Sequence, residues 1–139
     1  MSGTLHIGLL GSLTVTSPAG EALALASPVQ RRLLSLLALQ GGHVLSADRL
    51  GDILECSGGS LRTVVSRLRG NVGADRIVTA PPGYALVAET DVAEFERLLA
   101  EAGHATEESA IGLFDRALAL WRGEAVVEFR DEPWAVGAV

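Results

Sequence analysis

The sequence contains no lysine, a single cysteine and few aromatic residues, which make up 4% of the chain. One thiol, Cys56, cannot form an internal disulfide. No apolar run reaches the ~18 residues that a membrane span requires, and the N-terminus MSGTLHIGLLGSLTV lacks the basic start of a secretory signal. These absences exclude a disulfide scaffold and a membrane-spanning protein, and they predict a soluble, cytoplasmic one.

Because lysine is absent, all 11 basic residues are arginines. The guanidinium group suits bidentate contacts with phosphate or guanine, although an arginine-only chain is equally typical of a GC-rich genome. Residues 1–90 carry seven arginines and six acidic residues, whereas residues 91–139 carry four arginines and eleven acidic residues. The net charge of −6 therefore comes from the C-terminal part, and this asymmetry predicts two domains, at residues 1–89 and 90–139.

Patterns in residues 1–89 predict a sheet, three helices and a hairpin, in that order. Three short β-prone runs between residues 5 and 25 predict a small antiparallel sheet. Capping serines at positions 27, 46 and 60 predict helix starts, and the first helix extends to about Gln40. Arg76 to Val87 predict a hairpin with a type II turn at Pro82 and Gly83. This order is typical of an α+β winged helix-turn-helix whose wing is the hairpin.

The third predicted helix has one apolar face and one face that suits DNA. Apolar residues recur from Leu61 to Leu68 at helical spacing and predict a buried face. The opposite side carries arginines and hydroxyls that indicate DNA contact, the alternative being an ordinary solvated surface. At the start of the first helix, two further arginines either contact phosphate or are simply solvated. The candidate DNA-binding residues are Arg31, Arg32, Arg62, Thr63, Ser66, Arg67, Arg69, Arg76 and Thr79.

Residues 90–139 predict a purely helical domain. Asp91 and Glu94 form a capping box before one helix, and Thr106 begins a second that continues to about Trp121. Two such helices joined by a short loop form a hairpin of the tetratricopeptide type. A single hairpin leaves apolar residues uncovered, so we expect it to pack on the N-terminal domain or to mediate a dimer. The acidic residues are expected to form a solvated surface, a protein-docking face, or both.

No constellation typical of an enzyme, metal or cofactor site occurs in the sequence. His6, His43 and His104 lie in three separate segments, without the spacing of a zinc site. The run from Gly8 to Gly11 lacks the lysine and hydroxyl ending of a P-loop. We therefore predict a protein that is not an enzyme and that binds neither a metal nor a cofactor.

Five strings of the sequence carry a resemblance to a known family. They are VVSRLR at residues 64–69, DRIVTAPPGY at 75–84, FERLLAEA at 95–102, ALALWRG at 117–123 and Pro-Trp at 133–134. In this order they resemble the Streptomyces antibiotic regulatory protein family. The resemblance implies an OmpR-type winged-helix DNA-binding domain followed by a partial bacterial transcriptional activation domain. It also implies a cytoplasmic activator of biosynthetic gene clusters that binds double-stranded DNA as a dimer and contacts RNA polymerase.

The resemblance also implies roles for individual residues. The third helix would lie in the major groove, with Arg62 and Arg67 facing the bases and Arg69 touching phosphate. The sequence departs from the family at Ala80, where an arginine that enters the minor groove is common, and in the short ECSGGS segment before the third helix.

Two functions therefore stay open. The first is a sequence-specific DNA-binding regulator of transcription, acting on a biosynthetic gene cluster. The second is a degenerate winged-helix module that does not bind DNA and modulates a full-length relative through protein contacts.

Overall fold

A computed structural model describes residues 3–135 of the chain. It contains five α-helices and two small sheets in that range, so the predicted α+β class is confirmed. No helix between residues 3 and 135 is both long enough and apolar enough to cross a membrane. The elements are β1 (His6–Gly8), β2 (Thr14–Thr16), α1 (Pro28–Leu39), β3 (Leu45–Ser46), α2 (Ala47–Leu54), α3 (Gly58–Val72), β4 (Ile77–Ala80), β5 (Gly83–Leu86), β6 (Glu89–Thr90), α4 (Asp91–Gly103) and α5 (Glu107–Ala119).

The first sheet differs from its prediction in its third strand. Its order is β2-β1-β6, with Ile7 antiparallel to Val15 and parallel to Thr90. The third predicted N-terminal run contributes only one bridge, between Ala22 and Thr16. That run is rich in alanine, which has low β propensity, and β6 occupies the other edge of β1. A strand from after the hairpin therefore ties both parts of the chain into one sheet.

Helix starts follow the capping serines, with one shift. Ser27 and Ser46 cap α1 and α2 as predicted. The predicted start of α3 at Ser60 is wrong, because the hydroxyl of Ser57 accepts the Ser60 N–H at 3.2 Å and the helix begins at Gly58. The side-chain oxygen of Gln30, three residues after the Ser27 cap, accepts from the Asn71 amide at 2.7 Å. That bond links the start of α1 to the end of α3.

The predicted hairpin is formed by β4 and β5, but its turn geometry differs. The second sheet has the order β3-β5-β4. Gly83 already belongs to β5 and does not have the positive φ of a type II turn, so the predicted turn is wrong. Glycine is needed at position 83 for a close approach of two backbones, since a Cβ there would lie 2.0 Å from the Leu45 carbonyl oxygen.

One hydrophobic core joins α1, α2 and α3, both sheets and the C-terminal segment. Its fully buried members include Ile7, Leu33, Leu50, Leu61 and Leu68. Beyond α5 the chain returns to this core, and two residues of the returning segment, Val126 and Ala135, are buried in it. This packing concerns the segment after α5 and not the helical hairpin for which packing or dimerisation was predicted.

The helices α4 and α5 pack on each other and are joined by residues 104–106. Thr106 caps α5 as predicted, whereas the predicted cap of α4 is wrong by one position. The hydroxyl of Thr90 accepts the Ala93 N–H at 3.0 Å and caps α4. Asp91 is thereby released from capping, and its carboxylate turns towards the N-terminal domain.

Candidate nucleic-acid interface

The outward side of α3 carries two exposed arginines. The inward side is anchored by four buried apolar residues. Arg62 and Arg67 are exposed on the outward side, and neither side chain has a hydrogen bond or ion pair with any residue between 3 and 135. A guanidinium that no carboxylate neutralises is free to make bidentate contacts with phosphate or guanine.

Between these two arginines, α3 presents a line of small residues. Gly59, Thr63, Ser66 and Gly70 follow one another at spacings of three or four residues and share the outer face. The Thr63 hydroxyl donates to the Gly59 carbonyl at 3.1 Å, which holds it against the helix. A Cβ added at Gly70 would meet no atom within 4 Å. The backbone of α3 is therefore accessible to a partner, with an arginine on each side of the accessible strip.

Arg69 belongs to a different environment from its neighbours. It is half-buried, and it donates to the Ile77 carbonyl at 2.7 and 3.0 Å and to the Thr79 hydroxyl at 2.8 Å. Its guanidinium also lies 5.8 Å from the ring centre of Tyr84, within cation–π range. Arg69 thus fixes the β4–β5 hairpin to α3, and its predicted phosphate contact stays a prediction.

Arg76, a further candidate for DNA contact, is withdrawn from the surface. Its side chain is 11% exposed and donates to the Gly3 carbonyl at 2.9 Å. Asp75 lies 3.7 Å from the same guanidinium. Because these partners and its burial already hold it, we leave Arg76 out of the interface.

The C-terminal segment pairs with Arg31 and Arg32, which the sequence placed among the candidates for phosphate contact. Arg31 makes a two-point ion pair with Glu128, and Arg32 pairs with Glu132. Each of these side chains is only about a quarter exposed. The hydrogen bond from Arg31 lowers the pKa of the Glu128 carboxyl below its ordinary value, against the opposing effect of burial, and raises the pKa of Arg31. Both arginines therefore stabilise the fold instead of contributing to an open basic surface.

Asp91 forms a second link between the two parts of the chain. Its buried carboxylate accepts the backbone N–H groups of Leu9 at 2.7 Å and Leu10 at 3.0 Å, with Arg122 3.9 Å away. The run from Gly8 to Gly11, which lacks the ending of a P-loop, thus binds a carboxylate of its own chain. A Cβ at Gly8 would lie 2.2 Å from the Thr14 hydroxyl, so a larger residue there would have to displace that side chain.

Sequence reasoning missed Asp91, Glu128 and Glu132 as structural residues. Asp91 fits a helix cap equally well, and acidic residues in a strongly acidic segment carry no individual signal. Arg31 and Arg32 pair with Glu128 and Glu132, each about 100 residues later in the chain. Local periodicity does not reveal pairs at that separation. Among residues 3–135, no three His, Cys, Asp or Glu side chains lie close enough together to hold a metal ion.

Comparison with known proteins adds family evidence to this geometry. Residues 90–139 match the family model of the bacterial transcriptional activator domain. The regulatory protein AfsR of Streptomyces coelicolor is 35% identical over an alignment of 139 residues, which covers 90% of this chain and 14% of AfsR. The regulatory protein DnrI of Streptomyces peucetius is 32% identical, with 89% of this chain and 54% of DnrI covered.

A solved structure shows the same fold. Mycobacterium tuberculosis EmbR, in complex with a low affinity phosphopeptide, has a TM-score of 0.83 and 28% identity over 96% of this chain and 40% of EmbR. The chain thus spans at most about half the length of these relatives. The activator-domain match, the regulatory relatives and the shared fold together confirm the predicted resemblance of this chain to the Streptomyces antibiotic regulatory protein family.

Proposed function

We propose that the chain is a sequence-specific, double-stranded DNA-binding regulator of transcription that acts on a biosynthetic gene cluster. Residues 1–89 form a winged-helix domain in this proposal, with α3 as the recognition helix and the β4–β5 hairpin as the wing. Residues 90–139 form a partial activator domain, in which α4 and α5 are a tetratricopeptide-like hairpin that contacts RNA polymerase. A dimer on repeated sites is part of the same proposal, because the family resemblance implies it.

The observation that carries the proposal is the outward side of α3. Arg62 and Arg67 are exposed and have no partner among residues 3–135, while the strip between them consists of small residues. The major groove of B-DNA admits an α-helix. Small residues at the centre of the outer face let the helix backbone approach the base edges, and long arginines at the sides reach bases or phosphates. Arg69 supports this arrangement by holding the hairpin at a fixed position beside α3.

The number of available cations sets the expected strength of binding. Of the seven arginines in residues 1–90, four are engaged with groups of the chain, which leaves Arg49, Arg62 and Arg67 without partners among residues 3–135. Each phosphate that is neutralised contributes about −0.9 to the slope of log K against log salt. We therefore expect a slope of about −2 to −3 and modest affinity.

The test is a selection of bound duplexes from a random-sequence pool, followed by anisotropy titration of the selected duplex and a shuffled one. Arg67→Ala should cost about 1 to 3 kcal/mol on the selected duplex and little on the shuffled one, if Arg67 reads a base. Arg62→Ala should weaken the selected duplex as well. Arg116→Ala is the matched control, because Arg116 is also exposed and without a partner among residues 3–135, but lies on α5.

An unchanged affinity of both α3 variants, or a loss equal to that of the Arg116 variant, would contradict the proposal. The second candidate, a module that acts only through protein contacts, is favoured by the engagement of Arg31, Arg32, Arg69 and Arg76 and by the alanine at position 80. It predicts that the selection enriches no sequence and that binding to any duplex is equally weak.

A further inference from the structure

The loop between β1 and β2, residues 9–13, is hydrogen-bonded along its length to the C-terminal part of the chain. Its first two N–H groups, those of Leu9 and Leu10, donate to the Asp91 carboxylate at the start of α4. The carbonyl oxygens of the same two leucines accept, each at 2.8 Å, from two backbone N–H groups beyond α5, those of Val126 and Arg122. Because both leucines are buried, these bonds form in a low dielectric, where a hydrogen bond is stronger than in water.

The second half of the β1–β2 loop is held in the same way. The Ser12 carbonyl accepts from the Arg122 guanidinium at 2.9 Å, and the Leu13 N–H donates to the Glu128 carboxylate at 2.8 Å. Gly11 has a φ of +139° and lies against the Arg122 side chain, since a Cβ at position 11 would come within 3.1 Å of it. The start of α4 and the segment after α5 therefore both hold the conformation of this loop.

No linker separates the two parts of the chain. β6 ends at Thr90 and α4 begins at Asp91, while β6 pairs with β1 in the first sheet. The bonds to the β1–β2 loop form a second attachment, and the ion pairs of Arg31 and Arg32 on α1 form a third. Domains move relative to one another by default where few contacts cross between them. Three attachments on different elements leave no hinge about which the two parts could rotate.

We infer that the β1–β2 loop locks the α4–α5 hairpin onto the N-terminal domain, so that the two move as one rigid body. Asp91 and Arg122 are the positioning residues, because Asp91 begins the hairpin, Arg122 follows it, and both bind the loop. Fixing both ends of the hairpin fixes its direction relative to α3. The inference goes beyond the proposed DNA binding and does not depend on it, because this orientation belongs to the free protein.

The test measures the distance between two spin labels by double electron–electron resonance. The labels are attached at two exposed positions, Asp48→Cys on α2 and Ala100→Cys on α4, in the full chain with its own cysteine removed by Cys56→Ser. This parent should give a single narrow distance distribution. Arg122→Ala removes the bond to the loop and the charge beside Asp91, and it should broaden the distribution about twofold. Asp91→Asn combined with Arg122→Ala should broaden it further.

Arg130→Ala is the matched control, because its pair with Glu124 lies in the same C-terminal segment but is exposed, and it should leave the distribution unchanged. A second pair of labels, at Asp48→Cys and Ala74→Cys, lies within the N-terminal domain at exposed positions. Its distribution should stay narrow in every variant, which checks that this domain remains folded.

The inference is overturned if the α2–α4 distribution of the parent is as broad as that of the variants, because the two parts then move independently. It is also overturned if the variants stay as narrow as the parent, because other contacts then fix the hairpin. Equal broadening of both label pairs would overturn it as well, since the loop would then hold the N-terminal domain together instead of attaching the hairpin to it.

Discussion

The outward faces of α3 and α5 are both exposed helix surfaces, yet they differ in every property that selects a partner. On α3 the outer line consists of glycines and small hydroxyl residues with arginines beside it, whereas on α5 it consists of large apolar residues with acidic ones beside it. The first surface is basic and open to close approach, whereas the second is apolar and acidic. One fold thus presents two helix surfaces of opposite chemistry.

Both helix faces keep their positions only if the fold is stable. The largest effect on that stability is expected at Asp91. Asp91→Ala leaves the buried N–H groups of Leu9 and Leu10 without their acceptor. We expect the free energy of unfolding to fall by about 2 to 4 kcal/mol, because each orphaned buried donor costs ~1 to 3 kcal/mol. Urea unfolding measures the effect. Asp115→Ala, at an exposed site, should stay within ~0.5 kcal/mol of the parent, and equal losses in the two variants would contradict the role of Asp91.

A second prediction separates Arg69 from Arg67 on α3. Arg69→Ala removes three hydrogen bonds to the hairpin, so the free energy of unfolding should fall by about 1 to 2 kcal/mol. DNA binding should weaken on all sequences because the hairpin is no longer held beside α3. Arg67→Ala should leave stability within ~0.5 kcal/mol. Denaturant unfolding and DNA titration of the same samples check both effects; equal stability of the two variants would show that Arg69 does not anchor the hairpin.

A third prediction uses the pairing of Glu128 with Arg31. The pKa of Glu128 is lowered in the folded state, mainly by its hydrogen bond from Arg31, so its contribution to stability is present above the unfolded pKa and is lost as pH falls through the folded pKa. Glu128→Gln should cost about 1 to 2 kcal/mol at pH 7. The gap between parent and variant should close as the pH falls below about 4.

Urea unfolding at a series of pH values measures that gap. Glu124→Gln is the control, since its pair with Arg130 is exposed and 3.6 Å long, and it should change stability by less than ~0.5 kcal/mol at any pH. A gap at Glu128 that is independent of pH would show that the loss comes from packing and not from the charge.

The smallest expected effect concerns the hairpin. Ala80 ends β4 next to the Pro81–Pro82 turn, where the family resemblance places an arginine in the minor groove. Ala80→Arg should tighten DNA binding about twofold to fivefold, most of all on duplexes with A·T-rich flanks, whose narrow minor groove attracts arginine. Anisotropy titration against A·T-rich and G·C-rich flanks checks this. An equal gain on both flanks would indicate a phosphate contact, and no gain would show that the hairpin lies away from the groove.

The order of elements and most helix starts were predictable from the sequence because they depend on local chemistry. A hydroxyl at position 27, 46 or 106 can satisfy the free N–H groups of the next turn wherever the helix lies in the fold. The errors occurred where two local solutions compete. Ser57 and Ser60 are both good caps, and Thr90 and Asp91 are as well, so only the surrounding structure selects between them.

The residue types of the candidate site were predictable from the sequence. Which of its arginines have partners within the chain was not. Arg62, Arg67 and Arg69 are the same residue type on the same helix. Only Arg69 reaches the Ile77 carbonyl of β4. Similarly, Arg31 and Arg32 look like free cations at a helix start until Glu128 and Glu132 are brought against them. Long side chains such as arginine contact residues that are distant in sequence, and the helical periodicity of the sequence does not predict these contacts.

By itself, then, the sequence determined the α+β class, the capped helices, the hairpin and the division into a mildly basic and an acidic part, because each follows from local propensity or from counting charges. Tertiary structure alone decided which arginines stay free and which are neutralised, and it placed the buried carboxylate of Asp91 on the Leu9 and Leu10 amides. Ion pairs and buried hydrogen bonds depend on distance in space, and residues about 100 positions apart come within bonding distance only when the core has formed.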